Sequence, residues 1–438
     1  MTRNRQRLHA TFLAAGLLTA CGTQTHETAA TFSATARPTA PRYLHVLQRV
    51  PRSVRDEDLA TEYRGTVISR TSELGHAIIA SNNPNRGRYD VHVEPNDRNV
   101  RPSVMNEAGY GMWSSGYGMW STGYSMWSSG YDLWSNGTST SATTFTDNRR
   151  AWDLLRLSGA QALAPEYGRG VKVAVIDTGI DLKHPAFSGR IDTWNARDYV
   201  GGDSTPQEVN AATDGTYSSG YGHGTAVANL VLQVAPNATI LPIRVIDPAG
   251  MTDTSTVASA ISYAVSRGAR IINLSLGGTT NSYAINQAIA DAAYRGVVVV
   301  CAAGNSGTTS ILYPAAAAMN STWQGLGSVS VGSVSVTNYK SSFSTYGSAL
   351  EISAPGEGLR AAFPNGQTAY VSGTSFAAPV VSGVLALAAS AGVSADASSM
   401  MNLMKNLDAS ATPPSDPKYW SAMGYGTVNA AALLGRYR

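Results

Sequence analysis

Four short and almost uninterrupted apolar runs restrict the fold more than any other feature: Val171 to Ile176, Thr239 to Val245, Arg270 to Leu274 and Val297 to Ala303. A strand that is apolar on both sides needs cover on both faces, which is the situation of a parallel strand between helical layers. Helical patterns alternate with these runs. Thr254 to Arg267 and Ser282 to Arg295 are closed by Gly268 and Gly296, residues that accept the left-handed turn at a helix C-terminus. The alternation predicts an α/β domain, doubly wound, with a mostly parallel sheet and helices on both faces. Chemistry in such sheets collects beyond the carboxyl ends of the strands.

Val380 to Ala389 is apolar or small all the way round, as a helix buried on every side should be. Gly373-Thr374-Ser375-Phe376-Ala377-Ala378-Pro379 precedes it, so Ser375 falls in the first turn, near the positive end of the helix dipole. Pro379 is tolerable there because few N–H groups of a first turn are committed. Asp177 ends the first apolar run in Val175-Ile176-Asp177-Thr178-Gly179, His223 opens a helical pattern in Gly222-His223-Gly224-Thr225-Ala226, and Asn305 follows Ala302-Ala303-Gly304. Each alone reads as ordinary: a serine cap, a capped turn, a Gly-Asn turn.

Taken together and in this order, the segments resemble the four signatures of the subtilisin-like serine peptidases, the S8 family. The likeness spans roughly residues 150 to 433, and takes in Asn273-Leu274-Ser275-Leu276-Gly277-Gly278 and Gly424-Tyr425-Gly426-Thr427-Val428-Asn429. It implies a peptidase in which Asp177, His223 and Ser375 form the catalytic triad and Asn305 donates to an oxyanion. It further implies that Ser275, Leu276 and Gly277 pair with an extended substrate, with Leu312 beside the pocket for the residue that is cleaved. His184-Pro185 resembles a structural His-Pro pair of the family, leaving His223 as the base. An α/β-hydrolase arrangement is disfavoured because Ser375 lacks a G-x-S-x-G elbow and the residue order differs. Three positions depart from the family: Ala226 and Val380 stand where histidines often occur, and Phe376 where a methionine is common. No cofactor is expected. The loop that forms the strong calcium site in subtilisin is missing between His223 and Pro236, so calcium is not supported as a requirement.

A chain of 438 residues has room for more than one domain, and the parts upstream of the α/β pattern differ sharply in character. Arg3, Arg5 and Arg7 precede an apolar run from Ala10 to Ala20, the layout of an export signal and too short for a permanent span. Leu18-Thr19-Ala20-Cys21 resembles a bacterial lipoprotein box, which makes Cys21 a lipidation site and the membrane a partner before maturation. Cys301 lies in an apolar run, so no disulfide is expected between the two cysteines. A net charge of +3 gives no argument for nucleic acid as a partner.

Residues 1–21 thus read as the signal segment and 22–42 as a linker. Residues 43–101 carry strand patterns at Tyr43 to Leu47, Val67 to Ser69, Ala77 to Ile79 and Val91 to Val93, and a helical pattern from Asp56 to Tyr63. Val93-Glu94-Pro95-Asn96 resembles the closing strand of a subtilisin-type inhibitory pro-domain, although Pro84 and Gly87 leave no room for that domain's second helix. His45, His76 and His92 have no metal-like spacing and read as surface or structural. Residues 102–148 hold four tandem heptapeptides starting at Gly109, Gly116, Gly123 and Gly130. Gly and Ser fill the repeat, so it offers no coiled-coil seam. It reads as a turn-rich linker or an aromatic strip. Residues 149–438 form the catalytic domain. The whole reads as an exported serine endopeptidase made with a self-cleaved inhibitory pro-segment, acting on polypeptides; the competing reading is a catalytically silent surface-binding lipoprotein that uses the repeats.

Overall fold

A computed structural model describes residues 40–98, 100–102, 132–133, 146–212, 217–218, 220–319, 323–394 and 396–437. Cys21, the export segment and most of the heptapeptides lie outside them. The unit Pro41–Arg438 holds everything discussed below.

Its first part is a four-stranded antiparallel sheet in the order β2-β3-β1-β4, from β1 (Tyr43–Leu47), β2 (Gly65–Thr71), β3 (His76–Ser81) and β4 (Asp90–Pro95). Helix α1 (Asp56–Tyr63) joins β1 to β2. Asp56, Glu57 and Asp58 occupy its first turn, where negative charge opposes the helix dipole, and Arg64 ends it in the left-handed region. As the sequence implied, no second helix lies between β3 and β4. His45 is structural and fully buried, its ring held by Asp90 and by the Asn83 carbonyl.

Two short strands follow, β5 (Arg101–Pro102) and β6 (Asp132–Leu133), then helices α2 (Arg149–Leu154) and α3 (Leu157–Leu163). The main domain continues with β7 (Lys172–Asp177), β8 (Arg197–Asp198), α4 (His223–Val234), β9 (Thr239–Arg244), α5 (Thr254–Ser266) and β10 (Ile271–Leu274). Next come β11 (Leu276–Gly277), α6 (Tyr283–Tyr294), β12 (Val298–Ala302), α7 (Trp323–Leu326), β13 (Ser328–Val334) and β14 (Ile352–Pro355). A hairpin of β15 (Leu359–Phe363) and β16 (Gln367–Val371) leads into α8 (Thr374–Ser390), and α9 (Ala397–Ala409) and α10 (Ala430–Leu434) close the chain. None of the described helices is long and apolar enough to cross a membrane.

Seven strands form one parallel sheet in the order β14-β13-β12-β10-β7-β9-β8. Its two faces can be read directly from side-chain alternation. Val173 and Val175 of β7, with Val298 and Val300 of β12, join the core that holds α4 and α8. Ala174, Ile176, Val299 and Cys301 point the other way, into the core beneath α5 and α6. The chain leaves β7 toward β9 and then returns to β10 on the opposite side. The strand order therefore reverses at β7, which places a crevice at its carboxyl end.

The four-stranded sheet lies on the outer side of α5 and α6. Leu44, Val46 and Ile78 share their apolar core, and polar side chains finish the contact. Glu94 accepts from Ser282 Oγ at 2.7 Å, Tyr283 N at 2.8 Å and Ala284 N at 2.9 Å, so it caps α6. Asn96 Oδ1 does the same for α5, accepting from Thr254 Oγ1 and Ser255 N. His76 Nδ1 meets Asp291 Oδ1 at 2.8 Å.

Candidate active site

Every sequence-predicted residue of the α/β domain falls at the same edge of the large sheet. Asp177 is the last residue of β7 and His223 the first of α4. Both are fully buried, and His223 Nδ1 bonds Asp177 Oδ1 at 2.7 Å. Thr178 N donates to the same oxygen at 2.7 Å. That approach depends on Gly224, since a Cβ there would run into the Gly179 carbonyl oxygen. The carboxylate orients the imidazole, and the second ring nitrogen, Nε2, is buried without a hydrogen-bond partner. An orphaned buried nitrogen is costly, and such groups persist where a site has work for them.

Ser375 is the second residue of α8, ahead of that helix's own hydrogen-bond ladder. All but the last residue of α8 are buried, so the rod anchors its first turn in the core. Ser375 Oγ donates to the Ser275 carbonyl at 3.2 Å, and Ser275 Oγ donates to the Ser375 carbonyl at 2.7 Å. Behind them Ser382 Oγ donates to Asn273 Oδ1 and Asn273 Nδ2 to Ser275 Oγ, a buried polar chain from the helix to β10. The Phe376 ring lies 5.2 Å from the His223 ring, between centroids. The serine's neighbour thus touches the imidazole.

Asn305 sits beyond β12, where its Oδ1 accepts from Thr374 N at 2.8 Å. Its Nδ2 lies 3.4 Å from where a Cβ on Gly373 would be, which brings the amide to the first turn of α8. Leu276 and Gly277 form β11, and a Cβ on Gly277 would come within 2.9 Å of the Leu312 side chain. Leu312 therefore lies beside this strand. Strand β11 is itself occupied: Leu276 pairs antiparallel with Pro102 and Gly277 with Arg101. One residue earlier, Thr252 N donates to the Val100 carbonyl in an isolated antiparallel bridge, so residues 100–102 are held by β11 on one side and by Thr252 on the other. His184 is structural, accepting from Ala186 N and bonding the Gln367 carbonyl, and burial pulls its pKa down.

A model of the subtilase family matches residues 168–426. The chain belongs to the subtilase family. It is 39% identical over 251 residues to thermitase of Thermoactinomyces vulgaris, covering 55% of this chain and 82% of that one. It is 35% identical to Subtilisin Savinase of Lederbergia lenta, with 60% and 91% covered. Among solved structures it resembles a cold-adapted subtilisin-like serine proteinase (TM-score 0.50, 31% identity, 60% of this chain and 88% of that one). It also resembles the prenylagaramide maturation protease PagA (TM-score 0.52, 28% identity, 64% and 98%). As a subtilase the protein is a serine peptidase of α/β fold.

Two features of this subtilase concern residues that sequence motifs treat differently. Ala226 and Val380, at the departures from the family pattern, are fully buried in the core shared by α4 and α8 and serve packing. Glu208, which no motif singles out, is buried and bonded to Thr178 and Gly224, the residues that follow Asp177 and His223. Burial pushes its carboxyl up to about 8, and the Asp177 charge adds to that rise against the hydroxyl bonds that lower it. Only the closeness of Thr178 and Thr225 to the Asp and His motifs hinted at a third polar group there.

Proposed function

We propose that this subtilase is an exported endopeptidase that hydrolyses peptide bonds through Asp177, His223 and Ser375 by way of an acyl-enzyme. The buried 2.7 Å bond from His223 to Asp177, with Nε2 left to receive a proton, is the observation that carries the reading. Ser375 Oγ attacks the scissile carbonyl carbon while His223 Nε2 takes its proton. The tetrahedral oxyanion is held by Asn305 Nδ2 and the Ser375 N–H. Collapse breaks the C–N bond, with the proton passing from His223 to the leaving amine. Water, deprotonated by the same imidazole, then releases the acid and restores Ser375. Asp177 holds the tautomer and stabilises the imidazolium.

In the same proposal, residues 43–101 are the pro-segment and residues 100–102 occupy the groove as a substrate would. Antiparallel pairing sets Pro102 against Leu276, next to Ser275 and hence to Ser375. The residue that follows is Ser103, and the Ser103–Val104 bond is the one expected to be cut. Val100, buried against the core that includes Leu276, models a preference for an apolar residue three positions before the one that is acylated. Cys21 lies on the pro side of that cut, so lipidation would leave the anchor with the pro-segment and free the enzyme with its repeats.

Fluorophosphonate labelling followed by peptide mapping tests the reading. Expected are a label on Ser375, a mature chain beginning at Val104, and an uncut, unlabelled chain in Ser375→Ala. A label elsewhere, or normal maturation of Ser375→Ala, overturns it.

A further inference from the structure

Glu208 lies in the stretch between β8 and α4, where its N–H donates to the Ile180 carbonyl at 3.1 Å. Its side chain reaches both segments that carry the acid and the imidazole. Oε1 accepts from Thr178 Oγ1 at 2.5 Å and from Gly224 N at 3.3 Å, and Oε2 accepts from Thr225 Oγ1. The two threonines are themselves tied in: Gly224 N also donates to Thr178 Oγ1 at 2.9 Å, and Asp181 N to Thr225 Oγ1 at 2.8 Å. One carboxyl group therefore bridges the residue after Asp177 to the two residues after His223. Its partners among the described residues are hydroxyls and backbone N–H groups, with no basic side chain among them. A buried acid without a counter-ion is an expensive thing to keep for packing alone.

Granting the triad reading above, we propose that Glu208 is a positioning residue, a carboxyl clasp that fixes the separation and orientation of Asp177 and His223. Strand β7 and helix α4 are separate elements, and the clasp ties their ends at the point where they meet. Burial raises the carboxyl to about 8, so around pH 7 it is protonated. Its O–H then donates to one of the two threonine hydroxyls, and the clasp sets no second negative charge beside Asp177. Proton transfer from Ser375 depends on the placement of the imidazole to well within an ångström, and a misplacement of about 1 Å costs about 10²-fold. Substrate contacts along β11 are made elsewhere and do not depend on the clasp.

The test compares Glu208→Ala and Glu208→Gln in the full chain, allowed to mature. Readouts are kcat and KM on a peptide, the rate of fluorophosphonate labelling at Ser375, and the downfield proton resonance of the His223–Asp177 bond. For Glu208→Ala, kcat and the labelling rate fall about 10- to 100-fold with KM within about threefold, and the resonance shifts or broadens. Glu208→Gln, which keeps the shape and hydrogen-bonding atoms, recovers kcat to within about fivefold of the parent and restores the resonance. If Glu208→Ala does not fold, Thr225→Val takes its place, with about a tenfold loss of kcat expected. Unchanged kcat in the truncated variant overturns the proposal, as does a Gln variant no better than Ala, or a KM that changes as much as kcat. Absence of a label on Ser375 in the unsubstituted enzyme defeats the triad reading instead; a label whose rate ignores Glu208 defeats only the clasp.

Discussion

Glu94→Ala offers a sharp measurement of how the four-stranded sheet holds the α/β domain. The Glu94 carboxylate is about nine-tenths buried and takes three donors at the start of α6: Ser282 Oγ, Tyr283 N and Ala284 N, at 2.7–2.9 Å. It also sits at the positive end of the α6 dipole. Truncation removes the charge and leaves three donors beneath the sheet with nothing to bond while the two parts remain docked. Removing one partner of a buried, hydrogen-bonded charged contact costs about 2–5 kcal/mol. Water entering through the partly open side trims that to about 2–4 kcal/mol, or about 30- to 700-fold in dissociation constant. On the proposed reading that residues 43–101 are severed as an inhibitory pro-segment, the assay uses the chain matured in place with that segment still bound. Serial dilution releases activity on a fluorogenic peptide, and the concentration at half-release gives the constant. Arg55→Ala, at the residue just before α1, whose partner Asp58 is exposed as it is, should leave the constant alone. A Glu94→Ala constant within threefold of the parent would refute the capping argument.

Four further outcomes follow from the geometry. Asn305→Ala should lower kcat about 10²–10³-fold with little change in KM, the magnitude established for the oxyanion asparagine of subtilisin, a relative of this chain; equal activity would exclude Asn305 from the oxyanion site. Glu208 is raised from 4.5 to about 8 in the folded chain, so the folded state keeps a proton that the unfolded state has lost between those pH values. Stability from this group is therefore whole below pH 4.5 and drains as pH climbs to about 8, at ~1.4 kcal/mol per pH unit and by at most about 5 kcal/mol. Denaturant unfolding in a Ser375→Ala background should show Glu208→Gln gaining on its parent from pH 5 to pH 9, and parallel curves would contradict this. No cluster of three or more acidic, His or Cys side chains suited to a metal lies among the described residues; chelator should leave activity intact and Tm within about 2 °C, whereas a larger fall would mean a stabilising cation. Phe376 touches the His223 ring and cannot form a sulfoxide, so Phe376→Met should make activity more sensitive to peroxide, read as the half-life in dilute peroxide.

The parallel strands were legible because burial on both faces leaves apolar runs, and β7, β9, β10 and β12 begin and end within a residue or so of the patterns. Strand β13 was not among those runs, since Ser328, Ser330, Gly332 and Ser333 break its apolar continuity. Its serines are buried all the same, because Ser330 Oγ finds the Ala349 carbonyl and Ser333 Oγ finds Ser341. Such satisfaction comes from chain neighbours in space, which no local pattern encodes. The same holds for Glu94, whose α6 partners lie almost 190 residues downstream. In the site, Asp177, His223, Asn305 and Ser375 could be located because their motifs combine glycine spacing with a strand end or helix start. Glu208 could not, because a lone glutamate in a polar stretch becomes informative only once Thr178 and Thr225 close around it.

Ser375 stands at the tip of α8, a rod enclosed along its whole length except for its last residue. A nucleophile carried on a surface loop can wander while the rest of the protein stays intact. This one has no such independence, for its backbone cannot shift without opening the centre of the domain. Heat should therefore abolish reactivity and global order at one temperature, and a partly melted yet still correctly armed intermediate has no place on the route between them.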